Sequence, residues 1–190
     1  MCMAVGLLMA RAVCSMILEE AAIKHKSRAM TYRQEFINHA ETTINGSGGL
    51  MFYDDYDKWL NVIKAEKHIK PSAAETPSTT YFMIDTQTDD IIGTIRLRHH
   101  LTDELRRDGG NIGYGIRPTK RGKGYGTIQL SLVLEKAKHL GMDKVMITCS
   151  KDNRASAAVA KRNGGVLAGE GFDEEEGKVT EIYWICFSRA

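Results

Sequence analysis

The stretch from Ile112 to Leu140 constrains the fold most strongly, because a strand, a glycine-rich turn and a helix follow one another without a break. Its first part, IGYGIR, alternates apolar with small residues as a strand does. Its last part, TIQLSLVLEKAKHL, repeats apolar residues at helical spacing. The glycines of PTKRGKGYG between them let backbone N–H groups approach a ligand near the positive end of the helix dipole. The stretch therefore predicts an anion site, which we interpret as a pyrophosphate site.

The elements on either side of this stretch predict an α+β fold with three α/β/α layers. Before it, the pattern indicates a strand over 16–22, helices over 25–40 and 54–68, and a hairpin with strands over 79–84 and 91–98. After it come a strand over 145–149, a short helix over 153–163 and two last strands over 166–172 and 179–187. Two helices before a meander, followed by one parallel crossover, predict a mixed, mostly antiparallel twisted sheet with helices on both faces.

Length and composition fit a single domain. A chain of 190 residues with 43% hydrophobic content can bury one good core, which we assign to residues 16–190. Residues 1–15 are an N-terminal extension whose status the sequence leaves open; the apolar run there is too broken for a transmembrane helix and lacks the basic start of a signal peptide. The net charge of +2 gives no general argument for nucleic acid. We expect neither a nucleic-acid partner nor a membrane.

The cysteines bear on metal binding and on the compartment. Cys2, Cys14, Cys149 and Cys186 are scattered along the chain and form no CxxC pair. This spacing argues against structural zinc, and we expect no metal. Free thiols fit a reducing compartment, so the sequence predicts a cytoplasmic protein.

The spacing of the loop separates three kinds of glycine-rich phosphate site. A Walker A loop requires GxxxxGK followed by Ser or Thr, but here Gly124 follows Lys123. A dinucleotide-binding fingerprint requires GxGxxG after the first strand of a βαβ unit, whereas this loop reads GxGxG after a meander. The third pattern, Arg/Gln-x-x-Gly-x-Gly/Ala, is matched from Arg121 to Gly126.

This third pattern resembles the coenzyme A loop of the GNAT superfamily of N-acetyltransferases, and further features agree with it. The last helix opens with Asn153 and carries Ser156, which matches the Asn-x-x-Ser/Ala opening of that helix in the family. The Gly164-Gly165 pair after it resembles the family's usual Gly-Phe, and the element order is similar over nearly the whole chain. The sequence from Gly113 to Gly126 is most similar to that of predicted bacterial acetyltransferases of unassigned substrate. The resemblance implies the GNAT fold and acetyl-CoA as cosubstrate.

The resemblance also implies which residues contact acetyl-CoA. The loop amides and the helix N-cap, which we place at Thr127, would bind the pyrophosphate. The free edge of the preceding strand would pair with the pantetheine arm, and the last helix would lie near the thioester. Carried over, these contacts fall on Ile116, Arg117, Pro118, Arg121, Gly122, Lys123, Gly124, Tyr125, Gly126, Thr127, Asn153 and Ser156.

The chain departs from the family's commonest pattern at the residue that protonates the leaving thiolate. Many relatives carry a tyrosine seven positions after the helix-opening Asn, where this chain has Ala160. The carboxylate that often serves as base is not clearly in place either. Candidates for proton handling are Tyr114, Cys149 and His99, each with an alternative as a core tyrosine, a buried inert thiol or a surface histidine, respectively.

The function that the resemblance implies is transfer of an acetyl group from acetyl-CoA to a primary amine, by direct attack in a ternary complex. The acceptor would be a small molecule or a peptide, and its pocket would use the first two helices, the loops around 45–50 and 99–108, and the last hairpin. A homodimer is a possible assembly. Two alternatives stay open: a non-catalytic acyl-CoA-binding or regulatory domain, and a nucleotide- or RNA-binding module that uses the basic loop.

Overall fold

The computed structural model describes residues 15–173 and 177–187. The strands there are β1 Met16–Glu20, β2 Ser78–Asp85, β3 Ile91–Arg98, β4 Ile112–Ile116, β5 Lys144–Ser150, β6 Val166–Asp173 and β7 Lys178–Cys186. The helices are α1 Lys26–Asn38, α2 Tyr56–Glu66, α3 Asp103–Arg107, α4 Tyr125–His139 and α5 Arg154–Arg162. Apart from the short helix α3, the order of helices and strands is the predicted one. Residues 1–14, with Cys2 and Cys14, lie outside the described residues.

Short polar side chains start three of the helices by capping free backbone N–H groups. The Asp55 carboxylate accepts from Asp57 N at 2.9 Å before α2, and the Thr102 hydroxyl accepts from Leu105 N at 3.2 Å before α3. The Asn153 side chain accepts from the amide of the third residue after it at 3.0 Å and starts α5. Helix α4 begins differently: its N-cap is Gly124, whose φ of +84° suits glycine and whose lack of a side chain leaves the backbone N–H groups uncapped. The N-cap predicted at Thr127 was therefore wrong, because Thr127 lies in the first turn.

The strands form two antiparallel groups. The first has the order β1-β2-β3-β4 and the second the order β5-β7-β6. Phe82 and Tyr81 alternate across β2, so that Phe82 packs under α1 and α2 while Tyr81 packs under α4 and α5. The predicted α+β class and the helices on both faces are confirmed. Among the described residues, no helix is long and apolar enough to span a bilayer.

Helix α4 makes the predicted crossover from β4 to β5, but these two strands form no ladder in the described part of the chain. They are joined at their start, where Asn111 N donates to Met146 O at 2.7 Å and Met146 N donates to Asn111 Oδ1 at 2.8 Å. A Cβ at Gly110 would stand 2.6 Å from Met146 O, so the two backbones are in close contact there. Further along, residues of both strands line one cavity, which belongs to the site.

Candidate active site

The turn before α4 presents a row of backbone N–H groups that have no acceptor. Among the described residues, none of the amides from Gly122 to Gly126 donates a hydrogen bond. Gly122 has a φ of +74°, and a Cβ there would meet nothing within 4 Å, so the backbone faces open space. The Thr127 hydroxyl oxygen is buried without a described partner. These groups surround the positive end of α4 and fit a pyrophosphate, as a coenzyme A site requires.

The turn opens into a cleft of about 470 Å³ between β4 and α5. This cleft brings together most of the residues predicted to contact the cofactor. Those that line it are Ile116, Arg121, Gly122, Gly124, Tyr125, Gly126, Thr127, Asn153 and Ser156. Tyr114, a catalytic candidate, lines it as well. The sequence elements that suggested a coenzyme A loop therefore converge on one cavity.

Three predicted contact residues, Arg117, Pro118 and Lys123, do not line the cleft. The Arg117 side chain is 7% exposed and pairs with Glu35 at 2.9 Å, on the far side of the sheet edge. Pro118 starts a single 3-10 turn, and Lys123 Nζ donates to the carbonyl oxygen of Thr119 at 3.1 Å. These three residues therefore shape the turn and are not part of the wall of the cleft.

Arg121 is held in the cleft by an acidic partner that the motif does not contain. Its two terminal nitrogens donate to the Glu41 carboxylate at 2.8 and 2.9 Å. Its Nε donates to Ile116 O at 2.9 Å. The guanidinium thus links the loop, strand β4 and the segment after α1, and Glu41 offsets part of the positive charge of the loop.

Strand β4 presents one edge to the cleft. The bond from Arg117 N to Ile92 O, 2.9 Å long, fixes which peptide groups pair with β3. Hydrogen-bonded positions alternate along an antiparallel ladder, so the peptide groups of Tyr114 and Ile116 face away from β3. Arg121 already occupies the Ile116 carbonyl. The N–H and C=O groups of Tyr114 stay available to an amide-bearing ligand in the cleft.

A second cavity, of about 320 Å³, adjoins the first. The two share Asn45, Tyr114, Asn153 and Ser156. The other residues of the second lining are Gly46, Arg98, Asp108, Gly109, Ile112, Gly113, Thr148, Cys149, Ser150, Asp173, Lys178 and Thr180. We call this space the acceptor cavity and the larger one the donor cleft. Their junction is where a donor and an acceptor could meet.

Tyr114 reaches Ser156 at this junction, and Cys149 lies in the lining of the same cavity. The Tyr114 hydroxyl lies 2.8 Å from Ser156 Oγ. Burial raises the pKa of Tyr114 to about 12, so its hydroxyl keeps its proton at neutral pH. Burial also raises the pKa of Cys149, which favours a thiol over a reactive thiolate.

His99, the third catalytic candidate, lies elsewhere. It follows β3 and lines a separate depression of about 570 Å³, together with His100, Leu140 and Trp184 among others. This depression shares no lining residue with the donor cleft or the acceptor cavity. Its Nε2 is 3.0 Å from Thr79 Oγ1, and burial followed by the neighbouring His100 lowers its pKa. The structure does not bring His99 together with Tyr114 and Cys149.

Sequence reasoning missed Glu41, Arg98 and Asp108 as individual site residues. A signal was present in the alternating glycines of β4, because glycine within a strand often marks close approach by another backbone. A Cβ at Gly115 would stand 2.8 Å from Asn45 O, so the segment after α1 crosses β4 and walls the site. Among the described residues, no three His, Cys, Asp or Glu side chains are grouped as a metal ion would need.

Comparisons with known proteins agree with this geometry. Residues 29–166 match the model of the acetyltransferase (GNAT) domain family. YncA from Salmonella typhimurium, a putative acetyltransferase solved with its cofactor acetyl-CoA, is 15% identical, with 93% of this chain and 96% of that chain covered and a TM-score of 0.61. RimL, a ribosomal L7/L12 alpha-N-protein acetyltransferase solved with coenzyme A, is 14% identical, with 91% and 94% covered and a TM-score of 0.65.

A third similar structure is the spermidine/spermine N-acetyltransferase SpeG from Vibrio cholerae, which is 14% identical, with 92% of this chain and 94% of that chain covered and a TM-score of 0.61. No curated protein matches the chain. At these identities the solved structures show a shared fold. The match to the family model covers most of the chain, and its range includes the loop, strand β4 and helix α5 that form the donor cleft. The chain belongs to the GNAT acetyltransferase family, whose enzymes use acetyl-CoA as cosubstrate.

Proposed function

We propose that this enzyme transfers the acetyl group of acetyl-CoA to a primary amine by direct attack in a ternary complex. The observation that carries the proposal is the junction of two cavities at Tyr114 and Ser156. Acetyl-CoA, when bound, supplies the thioester carbonyl that the amine attacks and the thiolate that leaves. Holding both partners at this junction is the main contribution of the protein, since orientation alone lowers such barriers substantially.

The donor side uses groups of the loop and of β4. The free amides from Gly122 to Gly126 would hold the pyrophosphate, and the Tyr114 peptide group would bind an amide of the pantetheine arm. Asn153 and Ser156 close the cleft from α5. Arg117 and Pro118, which the resemblance suggested as contacts, would act by shaping the turn.

The acceptor side must take a proton from the ammonium before attack. Asp108 is the carboxylate we assign to this step, directly or through water, because it lines the acceptor cavity beside Gly109 and Gly113. The Gly109 amide donates to Thr148 Oγ1 at 3.0 Å, which ties the Asp108 loop to β5. His99 is left out of the proposal because it faces a different depression.

Tyr114 would assist departure of the thiolate. Full proton transfer from a phenol with a pKa of about 12 to a thiolate of pKa about 8.5 is unfavourable by roughly 5 kcal/mol. The Tyr114 hydroxyl therefore acts by donating a hydrogen bond to the sulfur, and the final proton reaches the thiol from the amine through water. Cys149, as a buried thiol, takes no covalent part.

Acceptors of the similar structures indicate the range to be searched. SpeG is named as a spermidine/spermine N-acetyltransferase, and RimL is named as an acetyltransferase of the ribosomal protein L7/L12. We propose a small-molecule or peptide amine for this chain, with no nucleic-acid or membrane partner and a cytoplasmic location. A homodimer stays a prediction.

One observation favours a rival, a non-catalytic acyl-CoA-binding domain. Ala160, at the position of the usual tyrosine, is fully buried and offers no hydroxyl. Thiol release from acetyl-CoA across a panel of amines, against a control without enzyme, separates the two. Release that depends on both enzyme and amine supports the enzyme, and binding of acetyl-CoA without release from any amine supports the rival.

The donor site is tested by isothermal titration with acetyl-CoA and CoA. Gly122→Glu places a carboxylate among the loop amides and should weaken binding at least tenfold, because it repels the pyrophosphate. Gly141→Glu is a matched control, since Gly141 follows α4 with a φ of +75° and, like Gly122, has open space around its Cβ position. Equal affinity of the two variants would contradict the assigned pyrophosphate site.

A further inference from the structure

The acceptor cavity contains an arginine whose charge is not balanced by a carboxylate. Arg98 is the last residue of β3 and lines the cavity. Its Nη1 donates to the carbonyl oxygens of Gly109 and Gly110 at 3.0 and 3.1 Å. These two carbonyls fix one end of the guanidinium, and the remaining N–H groups donate to no described group. The guanidinium of Arg98 is thereby fixed in position, and its remaining N–H groups can donate hydrogen bonds to a ligand.

Arg96, on the same face of β3, provides a comparison, because its charge is balanced by a carboxylate. Arg96 pairs with Glu66 at 2.9 Å and donates to Ser78 Oγ at 2.7 Å. Arg98 has no carboxylate within 4.0 Å in the described part of the chain. Burial, followed by the charge of Arg96, lowers the pKa of Arg98. A half-buried cation without a counterion costs free energy that a bound carboxylate would recover.

A carboxylate also lines the cavity without pairing to this arginine. Asp108 forms no ion pair with Arg98 under the 4.0 Å limit, although its charge acts on that guanidinium. The other charged groups of the lining are Asp173 and Lys178, which have interactions of their own. The cavity therefore holds a cation and an anion apart from each other, so that a ligand with both charges would satisfy each of them.

We propose that the acceptor is a small zwitterionic amine, of the class of free amino acids, whose carboxylate binds Arg98 and whose ammonium lies between Asp108 and Tyr114. This inference rests on the proposed function. Arg98, Asp108 and Tyr114 line the same cavity of about 320 Å³, so one small molecule can contact all three. Arginine binds a carboxylate with two parallel hydrogen bonds, which gives both affinity and orientation.

The same arrangement disfavours the other amine classes. A polyamine has no carboxylate, so it would leave Arg98 without a partner in the cavity. An extended peptide has its carboxylates far from its N-terminal amine, so it would leave Arg98 without a partner. A cavity of about 320 Å³ is at the small end of ligand pockets, as suits one amino acid.

Thiol release in the presence of acetyl-CoA tests the inference on the wild-type enzyme. The panel contains the twenty free amino acids, their α-amides and spermidine. We expect at least one free amino acid to react with a kcat/KM at least tenfold above that of its amide and of spermidine. Release that is as fast with amides or with spermidine would overturn the inference while leaving the proposed function standing. Acetyl-CoA binding with no release from any free amino acid would overturn it as well.

Variants of Arg98 then assign the carboxylate contact. Arg98→Gln should raise KM for the free amino acid at least tenfold and leave the Kd for acetyl-CoA within about twofold. Arg98→Lys keeps the charge without the fork and should recover part of the loss. Arg106→Gln, an exposed arginine on α3, is the control and should behave as wild type. An unchanged KM in Arg98→Gln would refute the contact, and thermal unfolding of each variant shows whether the fold is kept.

Failure of the inference differs from failure of the proposed function. If the wild-type enzyme does not bind acetyl-CoA in isothermal titration, the donor site itself is wrong. If it binds acetyl-CoA and acetylates amines without regard to a carboxylate, only the role of Arg98 is wrong.

Discussion

Tyr114 shows how one residue can belong to the core and to the site at once. Its ring packs against the core under α4 and α5, as strand alternation predicted. Its hydroxyl reaches Ser156 Oγ at 2.8 Å, where the donor cleft meets the acceptor cavity. The core contact fixes the ring and thereby the position of the hydroxyl. The two interpretations offered for this tyrosine from the sequence are therefore compatible.

Replacing Tyr114 by Phe tests the hydroxyl without disturbing the ring. We expect kcat to fall by about 10- to 100-fold, because a hydrogen bond to the leaving sulfur is lost. The Kd for acetyl-CoA, measured by titration, should change little. Because Tyr114 keeps its proton below its pKa of about 12, the activity that depends on it should show no loss from pH 7 to 9. A wild-type rate in the variant would remove Tyr114 from the mechanism.

Replacing Cys149 by Ser separates direct attack from a covalent route. The raised pKa of this thiol predicts a poor nucleophile, so activity should stay within about threefold of wild type. The measurement is kcat with the best acceptor, together with mass spectrometry of the enzyme mixed with acetyl-CoA alone. An acetylated enzyme that disappears in Cys149→Ser would contradict the ternary mechanism.

At the scale of elements, β4 is shaped by the segment that crosses it. Gly113 and Gly115 carry no side chain on the face where Asn45 and Gly46 pass. A Cβ at Gly46 would stand 2.3 Å from Gly113 O. Contact of one backbone on another sets the width of the acceptor cavity, since Asn45, Gly46 and Gly113 all line it.

Gly115→Ala should therefore affect the site more than its size suggests. The added methyl would lie 2.8 Å from Asn45 O, and we expect a loss of about 1–3 kcal/mol in unfolding free energy with a lower kcat/KM. Gly169→Ala on β6 is the control, because its Cβ position has nothing within 4 Å. Chemical denaturation and thiol release of both variants check the prediction. Equal unfolding free energies and equal kcat/KM values would show that the segment around Asn45 moves aside without cost.

At the scale of the whole molecule, a buried histidine links stability to pH. The His25 side chain is fully buried and its Nδ1 accepts from Ala22 N at 3.1 Å, while Nε2 lies 2.9 Å from Glu19 Oε2. Burial lowers the pKa of His25, so the folded chain resists a proton that the unfolded chain accepts. Stability attributable to His25 is present above the unfolded pKa of about 6.5 and is lost as pH falls below it.

Unfolding measured by heat at pH 7.5 and pH 5.5 tests this linkage. The wild type should lose stability as the pH falls, by at most about 1.4 kcal/mol per pH unit from one group. His25→Gln should show a smaller loss, and His68→Gln, an exposed histidine, should follow the wild type. Glu19, whose pKa is lowered by Lys24 and then by His25, adds a further loss only below about pH 4.5. Identical slopes for His25→Gln and the wild type would refute the role of His25.

The glycine loop and the start of the last helix could be predicted from the sequence because their contacts are local. Arg121 to Gly126 lie within one turn, and the capping by Asn153 is a short-range hydrogen bond. Even there, the N-cap of α4 is Gly124 instead of Thr127, because the positive φ of glycine decides where the turn ends.

The acceptor cavity could not be predicted residue by residue, because long-range contacts assemble it. Asp108 is positioned by Gly109 and Gly110, with φ values of +94° and +59°, and by contacts with Thr148 and Met146 on a distant strand. No periodic pattern in the sequence predicts such long-range contacts. The position of His99 away from both cavities could not be predicted either, since only the fold around the end of β3 determines which depression its side chain lines.

The linings of the two cavities overlap at only four residues, which has a consequence for divergence among related enzymes. Most of the donor lining comes from β4, the turn after it and α5, whereas the acceptor lining adds short pieces around 98, 108, 148 and 178. Substitutions in those short segments can change which amine is bound without changing the residues that line the donor cleft. Gene duplicates of such an enzyme can therefore acquire new acceptors while the donor motif stays recognisable, and specificity has to be inferred from the acceptor pieces of each chain by itself.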